Sequence, residues 1–196
     1  MAEIQSPSSK LYPVLSLIIL LAGATWILLS AAEPGGTTSG SIPAPRPSFL
    51  APDFSLPTGQ GNVITLSDLR GRPVLINIWA SWCRPCRAEM PAIQEVYAAY
   101  QDKGFIVLGV NATQQDSQDA ALAFAQEMGL TFPILLDQAG EVTRLYETRA
   151  FPTSFFIDEQ GIVREVVVGG PMAEALLRIR VEQLAGPAGS GVPQGD

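Results

Sequence analysis

The chain has 196 residues, of which 47% are apolar, so its length suits one domain with extensions and excludes two large domains. Charged residues make up only 16%, the formal net charge is -7 and there is no basic run, which argues against a nucleic-acid partner. The chain contains no histidine, which excludes serine–histidine hydrolase chemistry, imidazole metal sites and histidine-ligated haem.

The first predicted element is an apolar transmembrane helix over residues 11–32. This segment carries no charge, and at the helical rise it is long enough to cross a hydrocarbon core of about 30 Å. Lys10 precedes it, and the first basic residue after it is Arg46, so residues 1–10 are expected to be a short cytoplasmic amino terminus. The segment would then be a signal-anchor in the cell membrane, with the rest of this single-pass protein on the extracytoplasmic side.

Two alternatives to this anchor remain open. Ser30, Ala31 and Ala32 are small residues at a suitable place for cleavage of a secretory signal. The apolar stretch is longer than the usual core of such a signal, which favours an uncleaved anchor. A buried core helix is the other alternative, although such helices rarely continue this long without a charge.

Two segments rich in Pro, Gly, Ser and Thr flank the region with regular patterns. Residues 33–51 lack apolar periodicity and predict a flexible linker. Residues 186–196 predict a disordered tail. The globular domain is therefore expected at residues 52–185.

Strand and helix patterns alternate within that domain. Residues 53–56 and 63–66 predict an amino-terminal hairpin, with Ser67 capping a short helical turn, and the apolar run 73–79 is typical of a strand buried on both faces. Later helices are expected at 84–100, 117–128 with Ser117 as its cap, 141–146 and 171–184, and strands at 105–110, 132–136, 153–158 and 162–168. This order indicates an α/β domain with a mixed central sheet flanked by helices.

The two cysteines of the chain lie in the motif WCRPC, residues 82–86. The motif falls where a buried strand ends and a helix begins, so Cys83 would face unpaired backbone N–H groups at the helix start. That position and the neighbouring Arg84 and Arg87 favour the thiolate, while the two-residue spacer lets Cys86 reach the first sulfur. We predict a redox-active disulfide in which Cys83 is the attacking nucleophile and Cys86 the resolving thiol.

Other uses of the two cysteines are less well supported. A structural disulfide across two residues closes too small a loop to stabilise much, and a zinc or iron–sulfur site would need a second pair of ligands. Two thiolates suit Cu(I), so a Cu(I)-binding metallochaperone is the alternative from another functional class. No histidine or methionine-rich stretch supports it, and we predict neither a metal nor a cofactor.

Three stretches carry a resemblance to a known family: APDFSLPTGQGNVITLSDLRGRPVLINIWASWCRPCRAEMP, FPILLD and FPTSFFIDEQGIVREVVVG. They resemble the thioredoxin superfamily, specifically the membrane-anchored TlpA/ResA-like thiol-disulfide oxidoreductases. The resemblance covers about residues 52–185. It implies a thioredoxin fold with an extra amino-terminal hairpin and a central insertion over about residues 111–137.

The resemblance also implies a binding surface for the exchange partner. Residues 151–153 resemble the family's cis-proline loop, which faces the disulfide and bonds the extended backbone of the partner. From sequence alone, a proline that starts a strand is the alternative. The substrate-binding residues are expected to be Trp82, Arg84, Pro85, Phe151, Pro152 and Thr153.

Glu89 is the third predicted catalytic residue. It lies one helical turn after Cys86, and in ResA-like proteins the matching residue is a buried acid near the thiols. A buried carboxyl has a raised pKa and can accept or return the proton that thiol exchange requires. Asn77, which cannot titrate, stands where thioredoxin has a buried aspartate, and this shifts proton handling toward Glu89. A solvated glutamate in the first turns of the helix is the alternative.

The expected activity is reduction of disulfides in exported proteins such as apocytochrome c, a step of cytochrome c-type biogenesis. The electron donor would be a thiol protein of the membrane, the membrane contact a single anchor, and the protein a monomer. A thiol peroxidase is a weaker alternative, because the peroxidatic motif of the similar peroxiredoxins would require proline and threonine where Ile76 and Ala80 stand.

Overall fold

The computed structural model describes residues 11–30 and 43–184. The predicted amino terminus at 1–10, the end of the anchor, most of the linker and the tail at 186–196 lie outside the described residues. Residues Leu11–Ser30 form helix α1. Within the described ranges, no helix is found to be long and apolar enough to cross a membrane, so the predicted anchor over residues 11–32 is not confirmed.

The second compact unit of the chain is an α/β domain. A five-stranded mixed sheet forms its centre, as predicted, and a two-stranded hairpin precedes it. The hairpin strands are β1 (Ser55–Pro57) and β2 (Val63–Thr65), and the sheet strands are β3 (Val74–Trp79), β4 (Ile106–Asn111), β5 (Ile134–Leu136), β6 (Thr153–Ile157) and β7 (Val163–Val168). The helices are α2 (Arg84–Tyr100), α3 (Gln118–Glu127), α4 (Glu141–Leu145) and α5 (Glu174–Leu184).

The sheet order is β5-β4-β3-β6-β7, which places β3 at the centre. Strands β3, β4 and β5 run parallel, and β6 and β7 are antiparallel to their neighbours. The central insertion predicted near residues 111–137 corresponds to α3 and the edge strand β5. This arrangement matches the expected thioredoxin-like fold.

Strand β3 is buried along its whole length because helices cover both faces of the sheet. Leu75 and Trp79 pack into one core with side chains of α2, α3 and α5, whereas Ile76 and Ile78 pack into a second core under α4. Each such side chain contributes about 1.5 to 3 kcal/mol of burial free energy. The strand is thereby fixed as the rigid base on which the following segment, residues 80–86, is built.

The domain begins earlier than the predicted boundary at residue 52. The Ser48 amide donates to the Val163 carbonyl at 2.8 Å, the Ala51 amide donates to the Gly161 carbonyl at 2.9 Å, and Ala51 is buried. The end of the predicted linker, residues 43–51, is therefore bonded to the domain beside β7. These bonds are made by the backbone, so they leave no apolar periodicity in the sequence.

The two predicted caps had different outcomes. Ser117 precedes α3, and its Oγ accepts from the Ala120 amide at 3.2 Å, which confirms that cap. Ser67 lies inside a short 3₁₀ turn, so its predicted capping role is wrong. Its own amide donates instead to Asp53 Oδ1 at 2.8 Å, a partner too distant in sequence for a local pattern to indicate.

Candidate active site

Cys83 and Cys86 form a disulfide at the start of α2, with their Cα atoms 5.3 Å apart. Cys83 is the N-cap residue, and its Sγ accepts from the Cys86 amide at 3.2 Å. Pro85 stands in the first turn of the helix, where a missing N–H costs no intrahelical bond. The sequence WCRPC thus starts the helix and places a sulfur at its positive end.

The two sulfurs face different surroundings. Cys83 is 5% exposed and borders a surface groove of about 350 Å³, whereas Cys86 is fully buried against the core. Partners therefore have access to Cys83 and none to Cys86. This asymmetry agrees with the predicted roles of attacking and resolving thiol.

The groove brings together most of the predicted substrate-binding residues. Trp82 and Phe151 pack edge to face, with ring centroids 5.9 Å apart, and Trp82 Nε1 donates to the Gln115 carbonyl at 2.9 Å. Trp82 is 58% exposed, so the pair presents an apolar surface to solvent beside Cys83. The residues that line the groove are Trp82, Cys83, Arg84, Pro85, Gln115, Thr148, Arg149, Ala150 and Phe151.

The loop before β6 has the predicted cis proline. The Phe151–Pro152 peptide bond is cis, and the Pro152 carbonyl accepts from the Gly169 amide at 2.8 Å. Thr153 is buried, and its hydroxyl donates to the Ala150 carbonyl at 2.7 Å. Pro152 and Thr153 therefore lie behind the groove and shape the loop, while Phe151 lines it.

Glu89 lies on the buried face of α2, together with Cys86 and Met90. Its side chain has no solvent exposure, which excludes the alternative of a solvated glutamate. Oε1 accepts from Asn77 Nδ2 at 2.8 Å and Oε2 accepts from the Met172 amide at 3.2 Å. Burial raises the pKa of this carboxyl, and these two hydrogen bonds offset only part of the increase.

Asn77 connects this acid to the sheet. Its Nδ2 donates to Glu89 and also to Ser154 Oγ at 2.9 Å, while its Oδ1 is buried without a hydrogen-bond partner. Gly170 closes the pocket on the other side, where an added Cβ would lie 2.6 Å from Glu89 Oε2 and 2.9 Å from the Pro152 ring. The carboxyl is thus held in a dry, closely packed site.

The sequence matches a known protein family over most of this domain. The sequence profile of the AhpC/TSA family matches residues 49–166. The chain belongs to the AhpC/TSA family.

Curated relatives narrow the assignment within that family. Thioredoxin-like protein YneN of Bacillus subtilis is 43% identical over 120 residues, which cover 61% of this chain and 69% of that protein. Thiol-disulfide oxidoreductase ResA of Geobacillus kaustophilus is 38% identical over 128 residues, covering 65% and 72%.

Solved structures agree with the curated relatives. A putative thiol:disulfide interchange protein DsbE from Chlorobium tepidum superimposes with a TM-score of 0.64 and 37% identity, over 69% of this chain and 94% of that one. StoA from Bacillus subtilis gives 0.59 and 31% identity, over 66% and 96%. This AhpC/TSA protein is therefore a thiol-disulfide oxidoreductase of the ResA/DsbE type.

The structure corrects one electrostatic expectation for this oxidoreductase. Arg87 was expected to add positive charge at Cys83, but its guanidinium bonds Glu127 on α3 at 2.6 Å and lies 4.8 Å from the Phe124 ring centroid. Its charge is thus compensated by a neighbouring helix. Arg84 is exposed at the groove.

Asp116 is a supporting residue that sequence reasoning missed. Its carboxylate accepts from the Ser81 amide at 2.6 Å, from Ser81 Oγ at 2.7 Å, from Asn111 Nδ2 at 2.9 Å and from the Ser117 amide at 2.9 Å. Burial alone would raise its pKa, but these bonds hold the pKa below its usual value. Asp116 thereby ties the segment before Cys83 to the end of β4, and these partners are too scattered in sequence to form a motif.

Metal-ligating side chains are not clustered in the described part of the chain. Within residues 11–30 and 43–184, no group of three or more His, Cys, Asp or Glu side chains is arranged to hold a metal ion. The two cysteine sulfurs are bonded to each other in this structure.

Proposed function

We propose that this oxidoreductase reduces disulfides in exported proteins through a Cys83/Cys86 dithiol–disulfide cycle. The observation that carries the proposal is the asymmetry of the disulfide at the start of α2: Cys83 borders a groove, and Cys86 is sealed in the core. Thiol exchange with a protein requires one accessible sulfur and a second that only the first can reach.

In the forward direction, the reduced protein donates two electrons. The Cys83 thiolate attacks one substrate sulfur, forms a mixed disulfide and displaces the other substrate sulfur as a thiolate, which takes up a proton. The Cys86 thiolate then attacks Cys83 Sγ and releases the first substrate sulfur, which is protonated in turn. The chain is left with the Cys83–Cys86 disulfide, and a dithiol electron donor of the membrane returns two electrons and two protons.

Glu89 would move the proton of the resolving thiol. Cys86 is buried and must lose its proton to attack Cys83 Sγ, but bulk water does not reach it. Glu89 follows one turn later on the same buried face, and its raised pKa makes the carboxylate a better base than an exposed glutamate. It takes the proton during resolution and returns one when the disulfide is next reduced.

The cellular setting is proposed from the sequence. Residues 11–32 lack any charge and would anchor a single-pass, monomeric protein, with the domain on the extracytoplasmic side. The ResA-like resemblance supports exported proteins such as apocytochrome c as substrates and a membrane thiol protein as donor.

Trapping of mixed disulfides tests the cycle. Cys86→Ala should accumulate a covalent complex with a disulfide-bonded substrate because no resolving thiol is present, and Cys83→Ala should accumulate none. Non-reducing electrophoresis with and without dithiothreitol measures both, with the double variant as control. Equal trapping through Cys83→Ala would contradict the assignment of the two sulfurs.

A separate measurement tests the topology. A reporter that is active only outside the cytoplasm, fused after Gly186, should be active, and the protein purified from membranes should begin near Met1. Mature protein that begins at Glu33 would show that the segment is a cleaved signal.

A further inference from the structure

We infer that the groove beside Cys83 selects substrate disulfides whose cysteine is flanked by acidic residues. The inference rests on the proposed function and adds the chemical class of the substrate segment. It depends on two arginines whose charges the fold does not compensate.

Arg84 and Arg149 both line the groove that contains Cys83, and both are exposed. They come from separate segments, since Arg84 opens α2 and Arg149 precedes the cis-proline loop. Neither takes part in an ion pair in the described part of the chain, where the paired arginines are Arg46, Arg87, Arg164, Arg178 and Arg180.

Among the residues that the structure describes, no carboxylate lines the groove to compensate this charge. The adjacent Glu147 faces Arg46 at 3.6 Å, and the Asp116 carboxylate bonds Ser81, Asn111 and Ser117, none of which lines the groove. The whole chain nevertheless has a net charge of -7. A locally positive groove at the reactive sulfur therefore contrasts with the rest of the molecule.

The apolar part of the groove lining suits a side chain of a peptide segment. Trp82 and Phe151 offer an apolar surface beside Cys83, on which the aliphatic part of a side chain can pack. Carboxylates before and after the substrate cysteine would reach the two guanidinium groups. Paired charges of this kind raise the rate of encounter and discriminate against basic segments.

A simpler role for the two arginines gives a different expectation. If they only stabilised the Cys83 thiolate, they would change exchange with all disulfides to a similar degree. A ratio of rates for two substrates cancels that general effect. Selection by charge appears in the ratio alone.

The test compares two disulfide peptides that are identical except for Asp or Lys on both sides of the cysteine. Single-turnover reduction by the full reduced chain, in an uncharged detergent, should be about tenfold faster for the Asp peptide at low salt. The ratio should fall toward about twofold in 0.5 M salt because screening weakens exposed charge pairs.

Arg149→Glu is the decisive variant because it lies outside the cysteine motif, and it should abolish the preference, since the new carboxylate offsets the charge of Arg84. Lys103→Glu changes the net charge equally but lies in the 3₁₀ turn Gln101–Lys103 that follows α2, about 25 Å from Arg84 by the length of that helix, and should keep the preference. Equal rates for both peptides, or a ratio that Arg149→Glu leaves unchanged, would overturn the inference while the proposed function stands. If neither peptide is reduced, the proposed function fails and the inference fails with it.

Discussion

The site has an outward half, which faces the groove, and an inward half, which faces the core, and the two differ in exposure to solvent. On the outward half, Cys83 borders an open groove beside the exposed Trp82 ring. On the inward half, Cys86, Glu89 and Asn77 are buried, and the acid is held by side-chain and backbone hydrogen bonds. Under the proposed cycle, the outward half would carry out disulfide exchange with partners, and the inward half would hold a proton away from bulk water.

The largest loss of stability is expected from Gly170→Ala, which adds a methyl group to the closely packed inward half. The added Cβ would lie 2.6 Å from Glu89 Oε2 and 2.9 Å from Pro152 Cγ, so the carboxyl or the loop must shift. We expect a loss of about 2 to 3 kcal/mol in the free energy of unfolding, measured by urea denaturation.

Gly59→Ala is the matched control for Gly170→Ala. Its Cβ would meet the end of the flexible Leu122 side chain, which can move, so a loss below about 1 kcal/mol is expected. An equally small loss for Gly170→Ala would show that the inward half is more deformable than its packing indicates.

The second-largest loss of stability is expected from Asp116→Ala, which affects the segment before Cys83 in the outward half. The change removes the acceptor for both Ser81 groups and for Asn111, so we expect about 2 kcal/mol of destabilisation at pH 7. Because the pKa of Asp116 is lowered, its contribution is present above the ordinary value of 3.8 and is lost as pH falls through the folded value. The difference from the parent should therefore shrink in acid, whereas the exposed Asp119→Ala control should change stability by under about 0.5 kcal/mol.

Glu89→Gln should have the smallest effect on stability and a clear dependence on pH. Because the folded pKa is raised, the stability that Glu89 contributes is complete below its ordinary value of 4.5 and is lost as pH rises through the folded value. Glu89→Gln has no carboxyl to ionise at this position, so it does not lose this stability as the pH rises. Its free energy of unfolding relative to the parent should therefore rise as the pH increases from 4 to 8.

The same variant tests the catalytic role of Glu89. The unpaired Asn77 Oδ1 provides an acceptor for the new amide if the Asn77 side chain turns over, so the shape of the pocket is kept. The pH profile of exchange should change for Glu89→Gln and stay the same for Glu95→Gln, an exposed residue of the same helix. Identical profiles would contradict a proton-transfer role.

Sequence patterns were sufficient where the determinants are local. Helix α2 has its predicted bounds, because the cysteine motif starts it and apolar residues recur at helical spacing up to Tyr100. The cis bond before Pro152 was expected from the family resemblance and is present. The choice between a buried and a solvated Glu89 required the structure, because that burial depends on Gly170 and Met172, about 80 residues later in the chain.

Features that depend on long-range contacts could not be predicted from the sequence. The bonds of residues 43–51 use backbone groups, and the partners of Asp116 come from three segments. Arg87 and Arg149 cannot be distinguished by sequence alone. Their roles differ in the fold, since Arg87 bonds Glu127 on α3 and Arg149 lines the groove. Local patterns predicted the sulfur chemistry, while the surroundings that tune it depend on long-range contacts.

The reduction potential of the Cys83–Cys86 pair tests most directly whether this oxidoreductase reduces its substrates. Strong oxidants of the superfamily lie near about -120 mV because their thiolate is strongly stabilised, whereas thioredoxin lies at about -270 mV. Here the helix terminus and Arg84 favour the thiolate, but the spacer has no histidine to add to that stabilisation. Equilibration with glutathione buffers should give a midpoint of about -250 mV, and a midpoint above about -180 mV would contradict the reductase and indicate an oxidase or isomerase.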